Sequence, residues 1–421
     1  MKDLTQFLQS SLTAYHAIDN AEQKLLEHGF VRLFECEDWP LSSGGNYFVK
    51  RGASLVAFTV GNLNTFSYKI VASHVDSPAL KLKENPVKNA GAYTSLNVET
   101  YGGGIWATFF DRPLKIAGRV VRNENGRVYS QTVEAPFTVT VPSMAVHINR
   151  NVNDGFAINN QIDLLPLAGF SLTNEEFLRA ISPQPFVSYD LFIVNGEAPY
   201  SFGVNNEFFS SPRIDNLVSV HASLEALISH GESDGVCVCA LFNREEIGSS
   251  GAEGACGDLL ENTLRRIAYA LRFDDAEFYK ALASSFLVSV DNAHAKHPNH
   301  PEKADVTNET LMGGGVVIKN HANGAYCTDG ISSAVIQSIF DKAGVKHQVF
   351  FNRSDMRSGS TLGVSALTRT GMPGVDIGLA QLAMHSACEC FAKSDLQELI
   401  NGLTAYYSSN ITLKNDEITI D

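Results

Sequence analysis

The feature that most constrains this chain recurs several times: a short, largely apolar run that stops abruptly at an acid or an imidazole. Phe66 to Ser73 ends at His74-Val75-Asp76-Ser77-Pro78, and Val236 to Phe242 is followed closely by Glu245-Glu246. Phe286 to Val290 runs into Asp291-Asn292-Ala293-His294. Runs of this length read as strands. Between them Ile214, Leu217, His221, Leu224 and Ile228 share one face of a helix beginning near Asp215. Strands alternating with helices predict an α/β fold. In an open α/β sheet the carboxyl ends of the strands form a rim where residues distant in sequence converge.

The rest of the chain fits around that core. The first 35 or so residues have helical spacing, Leu4, Phe7, Leu8 and Leu12 leading, and Ser54 to Val60 reads as a strand. From 88 to 206 the texture changes to short β-type runs, Ser95 to Tyr101, Ile105 to Phe110, Leu114 to Val121 and Phe137 to Val141. Turn signals such as Gly102-Gly103-Gly104 and Asn125-Gly126 separate them. This predicts a β-rich insertion, so that 1–87 and 207–421 form one discontinuous domain and 88–206 a second. A chain of 421 residues exceeds what one hydrophobic core usually serves. Helices are predicted over Leu259 to Leu271 and Glu277 to Ser284. Strands and glycine-rich turns are expected up to Thr370, and a helix over Gly378 to Ala392.

Charge and cysteine usage narrow the function. A net charge of −14 with no basic block excludes phosphate-backbone binding as a working hypothesis, so no nucleic acid partner is expected. No run approaches the roughly 18 apolar residues of a membrane span, and the polar N-terminus does not read as a signal peptide. No membrane partner is expected. Seven cysteines without CxxC spacing suit buried thiols in a reducing cytoplasm, which makes the expected localisation cytoplasmic.

The residue types at the rim suggest a chemistry. His74, Asp215, Glu245-Glu246, Asp291 and His385 are metal-ligand types on separate segments. Two imidazoles with several carboxylates suit a pair of divalent ions of Zn, Mn or Co character. Such a pair needs one bridging carboxylate and a shared water; Asp215, short and at a helix start, fits the bridge. A separate carboxylate must take the water's proton and pass it on. Adjacent residues of an extended chain point oppositely, so one of Glu245 and Glu246 can ligate while the other faces the water. His221, on the apolar helix face, reads as a core histidine. His294, His297 and His300 are interrupted by Pro298 and Pro301 and are assigned no further metal.

Five motifs occur in order: His74-Val75-Asp76-Ser77-Pro78-Ala79-Leu80-Lys81, Ser211-Pro212-Arg213-Ile214-Asp215-Asn216, Phe242-Asn243-Arg244-Glu245-Glu246-Ile247-Gly248-Ser249, Ser289-Val290-Asp291-Asn292-Ala293-His294, and Ala383-Met384-His385-Ser386. Over essentially its whole length the chain resembles the aspartyl aminopeptidase family of cocatalytic zinc metallopeptidases, in a bacterial-type version. The resemblance implies a three-layer α/β/α metallopeptidase core with a mixed sheet, interrupted by a dimerisation domain. It implies two divalent metal ions per subunit, zinc with manganese or cobalt as alternatives. His74, Asp215, Glu246, Asp291 and His385 would be the ligands and Glu245 the general base. Asp76 would orient the His74 imidazole. His147, His294, Lys319 and Tyr326 align with substrate-contacting positions; for His147 the resemblance leaves open a substrate or a metal contact, in its own or a neighbouring subunit's site. Lys319 would favour an acidic substrate side chain.

The implied activity is removal of N-terminal residues, acidic ones first, from peptides, within a tetrahedral homododecamer whose active sites face an internal chamber. Alternatives are a related aminopeptidase with broad or neutral preference, and a non-catalytic assembly protein of the same fold. A serine hydrolase is disfavoured because Gly248-Ser249-Ser250-Gly251 and Gly359-Ser360-Thr361-Leu362-Gly363 lack GxSxG order. A dinucleotide site is disfavoured because neither Gly102-Gly103-Gly104 nor Gly313-Gly314-Gly315 forms GxGxxG before a helix.

Overall fold

The computed structural model describes residues 1–414 and 417–421. Its centre is a nine-stranded mixed sheet. Val236–Phe242, Tyr68–His74, Phe286–Val290 and Gly374–Gly378 lie side by side and parallel in its middle. Ser54–Val60 runs antiparallel to Val236–Phe242 on one flank, and Val316–Asn320 antiparallel to Gly374–Gly378 on the other. The four middle strands are buried along their whole length. That is why Val236–Phe242 reads as a continuous apolar run and the others as largely apolar ones, interrupted at Lys69, Ser289 and Asp376, instead of alternating.

Side chains leave the two faces of these strands in turn. Cys237, Cys239 and Leu241 join a core with the helices Lys2–Ser10, Ile214–Ser229, Gly330–Ala343 and Lys393–Ser408. Val236, Val238, Ala240 and Phe242 join the opposite core, with Leu259–Ala270, Asp275–Ala283 and Leu362–Thr370. Helices therefore cover both faces, and the architecture is three-layer α/β/α as expected.

A second, antiparallel sheet has six strands, ordered Arg127–Val139, Leu114–Glu124, Ser188–Asn195, Ala79–Ala90, Tyr93–Tyr101 and Leu167–Phe170. The helix Asn174–Ile181 packs on it, started by a capping box between Thr173 and Glu176, and the pair has its own core around Leu80, Leu96, Ile116, Phe177 and Leu191. Along the chain these strands run from Ala79 to Asn195, so the sheet begins ahead of residue 88 and ends ahead of 206. A third sheet of five short strands, Tyr200–Phe202, Phe208–Ser211, Glu389–Ala392, Ala380–Leu382 and Ala293–His294, lies beside the site.

Three local expectations are corrected. Gly378 to Ala392 is not a helix but strands and a turn, and Ala383 and His385 sit at φ +59° and +65°. A right-handed helix cannot contain left-handed residues. The stretch before Thr370 holds two helices, Gly330–Ala343 and Leu362–Thr370. The first starts on Asp329, whose side chain accepts the Ser332 N–H, and ends on Gly344 at φ +67°. Ile105 to Phe110 contains a single 3₁₀ turn, Trp106–Phe109, where a strand was expected. Phe109 is buried in the core of the six-stranded sheet, and Phe110 makes only an isolated bridge to Val141.

Candidate metal centre

The parallel strands end together. Phe242 stands opposite His74 in the ladder, and Asp291 directly follows Val290. Their next residues therefore project from one edge, where Asp215 stands in the first turn of the helix Ile214–Ser229. The turn after Leu382 adds His385. The fold thus gathers residues from both halves of the chain at one rim.

His74 Nε2 lies 3.3 Å from Asp215 Oδ1 and 3.5 Å from Asp291 Oδ1. His385 Nε2 lies 3.4 Å from Asp215 Oδ2 and 3.3 Å from Glu246 Oε1. Asp215 thus turns one oxygen to each histidine. Donor atoms of His74, Asp215 and Asp291 form one group within 4.8 Å of one another, and those of Asp215, Glu246 and His385 form another. His74, Glu245 and Glu246 form a third. Both imidazoles have their other nitrogen engaged. His74 Nδ1 is 3.1 Å from the Asp76 carbonyl oxygen and His385 Nδ1 is 2.8 Å from that of Gly103. A carbonyl can only accept, so each Nδ1 carries the hydrogen and each Nε2 is left to face the carboxylates.

The same atoms test whether a cation fits. Asp215 Oδ1 and Glu246 Oε1 are buried and have no hydrogen-bond partner. An orphaned, buried carboxylate oxygen is costly, and a divalent ion between these groups would satisfy both. Imidazole and carboxylate together suit Zn, Mn or Co. The donor set fits the metal.

Charge crowding shows in the titration. Burial opposes it, yet the His385 and His74 imidazoles hold Asp215 below the usual carboxylate range. Burial and the Asp215 charge push Glu246 well above it. Burial also pushes Glu245 up to about 7; His74 opposes this and Asp291, Asp215 and Asp76 add to it. Burial disfavours protonated His385, but Asp215 and Glu246 outweigh it and raise the group to about 10. Without a cation, protons balance these carboxylates.

Glu245 and Glu246 do not follow the extended-chain geometry expected of them; they open a 3₁₀ turn, Glu245–Ile247. Asp76 pins that turn. Its Oδ1 accepts the Glu245 N–H at 3.1 Å, and its Oδ2 accepts the Glu246 N–H at 3.2 Å and the Tyr101 hydroxyl at 2.8 Å. His74 Nδ1 is 3.6 Å from Asp76 Oδ1, beyond a hydrogen bond, so the Asp76 carbonyl orients the imidazole. The carboxylate orients the glutamates.

A cavity of about 200 Å³ opens beside this cluster, lined by His74, Asp215, Glu245, Asp291 and His385 together with His294, Lys319 and Tyr326. Lys319 is 1 % exposed, and its Nζ donates to Asp291 Oδ2 at 3.4 Å and to the Asn292 carbonyl at 3.2 Å. Burial pulls its pKa down, but Asp291 and Tyr326 more than compensate and keep the ammonium charged. The Tyr326 hydroxyl pairs with Ser358 Oγ at 2.9 Å. A larger cavity, about 360 Å³, opens on the other side of Asp215. It lacks Glu245, so the smaller one is the candidate substrate space. His147 is not among the lining residues; it sits exposed in the irregular stretch after Val141. His221 is buried on its helix, as read from sequence, and burial lowers it to about 4.

Sequence reasoning missed three contributors. Tyr101 and Gly103 come from the inserted sheet and touch the site only through folding. Glu389 accepts the backbone N–H groups of Asp215 and His385. Gly102-Gly103-Gly104, set aside as a dinucleotide motif, was the one available signal.

An α/β sheet that gathers imidazoles, carboxylates and one separate glutamate at its strand ends is the build of a metal-dependent hydrolase. Residues 7–407 match the family described as aminopeptidase I zinc metalloprotease (M18), and the chain belongs to that family. It is 40% identical over 413 residues to a probable M18 family aminopeptidase 2 of Clostridium novyi, covering 93% of this chain and 95% of that one. Among solved structures it is similar to the Ape4 of an Ape4–Nbr1 complex, at TM-score 0.91 and 32% identity, covering 97% of this chain and 85% of that one. It is similar also to the mApe1 dodecamer of S. cerevisiae, at TM-score 0.83 and 25% identity, covering 96% and 95%. The protein is a metallo-aminopeptidase.

Proposed function

We propose that this aminopeptidase removes N-terminal residues, acidic ones by preference, at a site built for two divalent ions, with Glu245 as general base. The observation that carries this reading is the double engagement of Asp215, whose oxygens lie 3.3 Å and 3.4 Å from the Nε2 atoms of His74 and His385. His74 and Asp291 would hold one ion, Glu246 and His385 the other, and Asp215 both. Zinc, manganese or cobalt there would supply Lewis acidity, polarising the scissile carbonyl and bringing a water's pKa to about 7.

The chain's own residues supply the proton chemistry. Glu245, half-buried and with its donor atom grouped with those of His74 and Glu246, can take a proton from the attacking water and return it to the leaving amide nitrogen. Asp76 fixes its backbone, so the carboxylate stays aimed across the cluster. Lys319 carries positive charge at the cavity wall beside His294 and Tyr326, which favours a short acidic side chain. A space of about 200 Å³ accommodates one residue, not a run of them, in keeping with cleavage at a chain end. His147, exposed on the inserted segment, is free to reach a neighbouring subunit's site in a tetrahedral homododecamer. Placement in the cytoplasm rests on the seven cysteines, all free thiols.

A panel of Asp-, Glu- and Leu-anilides assayed with zinc, manganese and cobalt tests the reading. Fastest release is expected from Asp or Glu, abolished by chelation, with two ions per subunit by elemental analysis. Equal or faster release from Leu would refute the acidic preference, and one ion per subunit the dinuclear centre.

A further inference from the structure

Behind the metal centre lies a carboxylate that no ligand or proton-transfer role uses. Glu389 opens the strand Glu389–Ala392 and is 2 % exposed. Its Oε2 accepts the Asp215 N–H at 2.9 Å, and its Oε1 accepts the His385 N–H at 2.7 Å. Oε1 also receives Gln381 Nε2 at 3.4 Å. Gln381 in turn accepts from Asn292 Nδ2 at 2.8 Å, the residue after Asp291. One buried group therefore reaches the backbones of Asp215 and His385 directly, and that of Asp291 through two amides.

A buried carboxylate costs free energy that an apolar residue on the same strand would avoid. Two details explain its presence here. Asp215 stands in the first turn of its helix, where an N–H has no intrahelical acceptor. His385 sits at φ +65°, which a residue other than glycine keeps only when its surroundings hold it there. Two N–H groups from unconnected segments need two acceptor atoms at a set spacing, and a carboxylate supplies them.

We propose that Glu389 is a positioning residue for the metal centre: it sets the separation of Asp215 and His385 before any ion binds. The inference rests on the dinuclear reading above. Ligands held at their final spacing bind metal without ordering two loops first.

The test uses full-length protein carrying Glu389→Gln, which keeps the volume but turns one acceptor into a donor facing an N–H. Zinc affinity by chelator competition is expected to weaken about 10- to 100-fold, with a drop in kcat larger than any change in KM. A carboxylate that only stabilises the fold would lower the melting midpoint of the metal-free variant and leave zinc affinity within about twofold; that result overturns the proposal. Should the variant not fold, the unmutated metal-free protein decides. Protection of the Asp215 and His385 amides from hydrogen exchange supports the role, and free exchange overturns it. Unmutated protein that takes up no metal at all would overturn the dinuclear centre as well, which distinguishes that failure from equal binding by both proteins.

Discussion

At the scale of single residues, Glu245 and the histidines give the sharpest tests. Under the proposed function, Glu245→Gln removes the proton acceptor and leaves the proposed ligand set whole. Turnover is expected to fall about 10²- to 10⁴-fold with metal content unchanged; kinetics beside elemental analysis checks both halves. Metal-free protein should also show a pH signature. His385 is raised to about 10 in the folded chain from an ordinary 6.5, and His74 moves the same way. A raised imidazole contributes stability that is fully present below pH 6.5 and lost as pH climbs through about 10. Glu245, a carboxylic acid raised to about 7, adds loss that begins lower. The melting midpoint of chelated protein should therefore fall from pH 6 to 10. The metal-loaded protein should hold its midpoint there, because bound cations replace those protons. Parallel curves would refute the assignment of these groups to one cation centre.

At the scale of elements, the turn after the strand Tyr93–Tyr101 braces the site. Tyr101 holds Asp76, Gly103 holds His385, and the His385 carbonyl accepts the Ile105 N–H at 2.8 Å. Gly102 sits at φ +71°, and a Cβ there would come within 3.1 Å of Glu246 Cβ. Gly102→Ala is accordingly expected to cost about 1 kcal/mol or more of stability and roughly tenfold or more in zinc affinity, read by melting and chelator competition. An unchanged affinity would show that the inserted sheet does not brace the ligands. Elements were unevenly legible in the sequence. Val236–Phe242 and Phe286–Val290 are buried on both sides and wear that burial as apolar runs, broken only at Ser289. The helix Gly330–Ala343 was overlooked although Asp329 and Gly344 mark its ends, because glycine-rich turns flank it. The stretch Gly378 to Ala392 misled because its apolar residues fall at helical intervals while tertiary contacts hold Ala383 and His385 left-handed.

At the scale of the whole molecule, the irregular stretch of the insertion after Val141 exposes several apolar side chains. Met144, Val146, Ile148 and Ile162 are each at least half exposed on the segment that carries His147. Single exposed apolar residues are ordinary, whereas a contiguous patch marks a contact, and three of these four fall within five residues of one another. If this segment docks against a neighbouring subunit, Ile148→Asp should shift the assembly to smaller species by light scattering. It should also raise KM if His147 serves a neighbouring site, as proposed above. An unchanged mass would remove this segment from the interface.

Residue types and their order along the chain were enough to reveal the α/β rhythm, the acids and imidazoles at the strand ends, and the kinship with metallo-aminopeptidases. Those are local properties: an apolar run or a carboxylate after a strand can be read without knowing its neighbours. Only the tertiary structure decided which oxygen of Asp215 meets which histidine, and that the Asp76 carboxylate grips the glutamate turn while its carbonyl meets the His74 imidazole. It alone placed Lys319 under Asp291 and Glu389 behind two ligands. Each of these is a contact between segments far apart in the chain, fixed by sheet order and helix placement, and no spacing along a sequence encodes a distance across a fold.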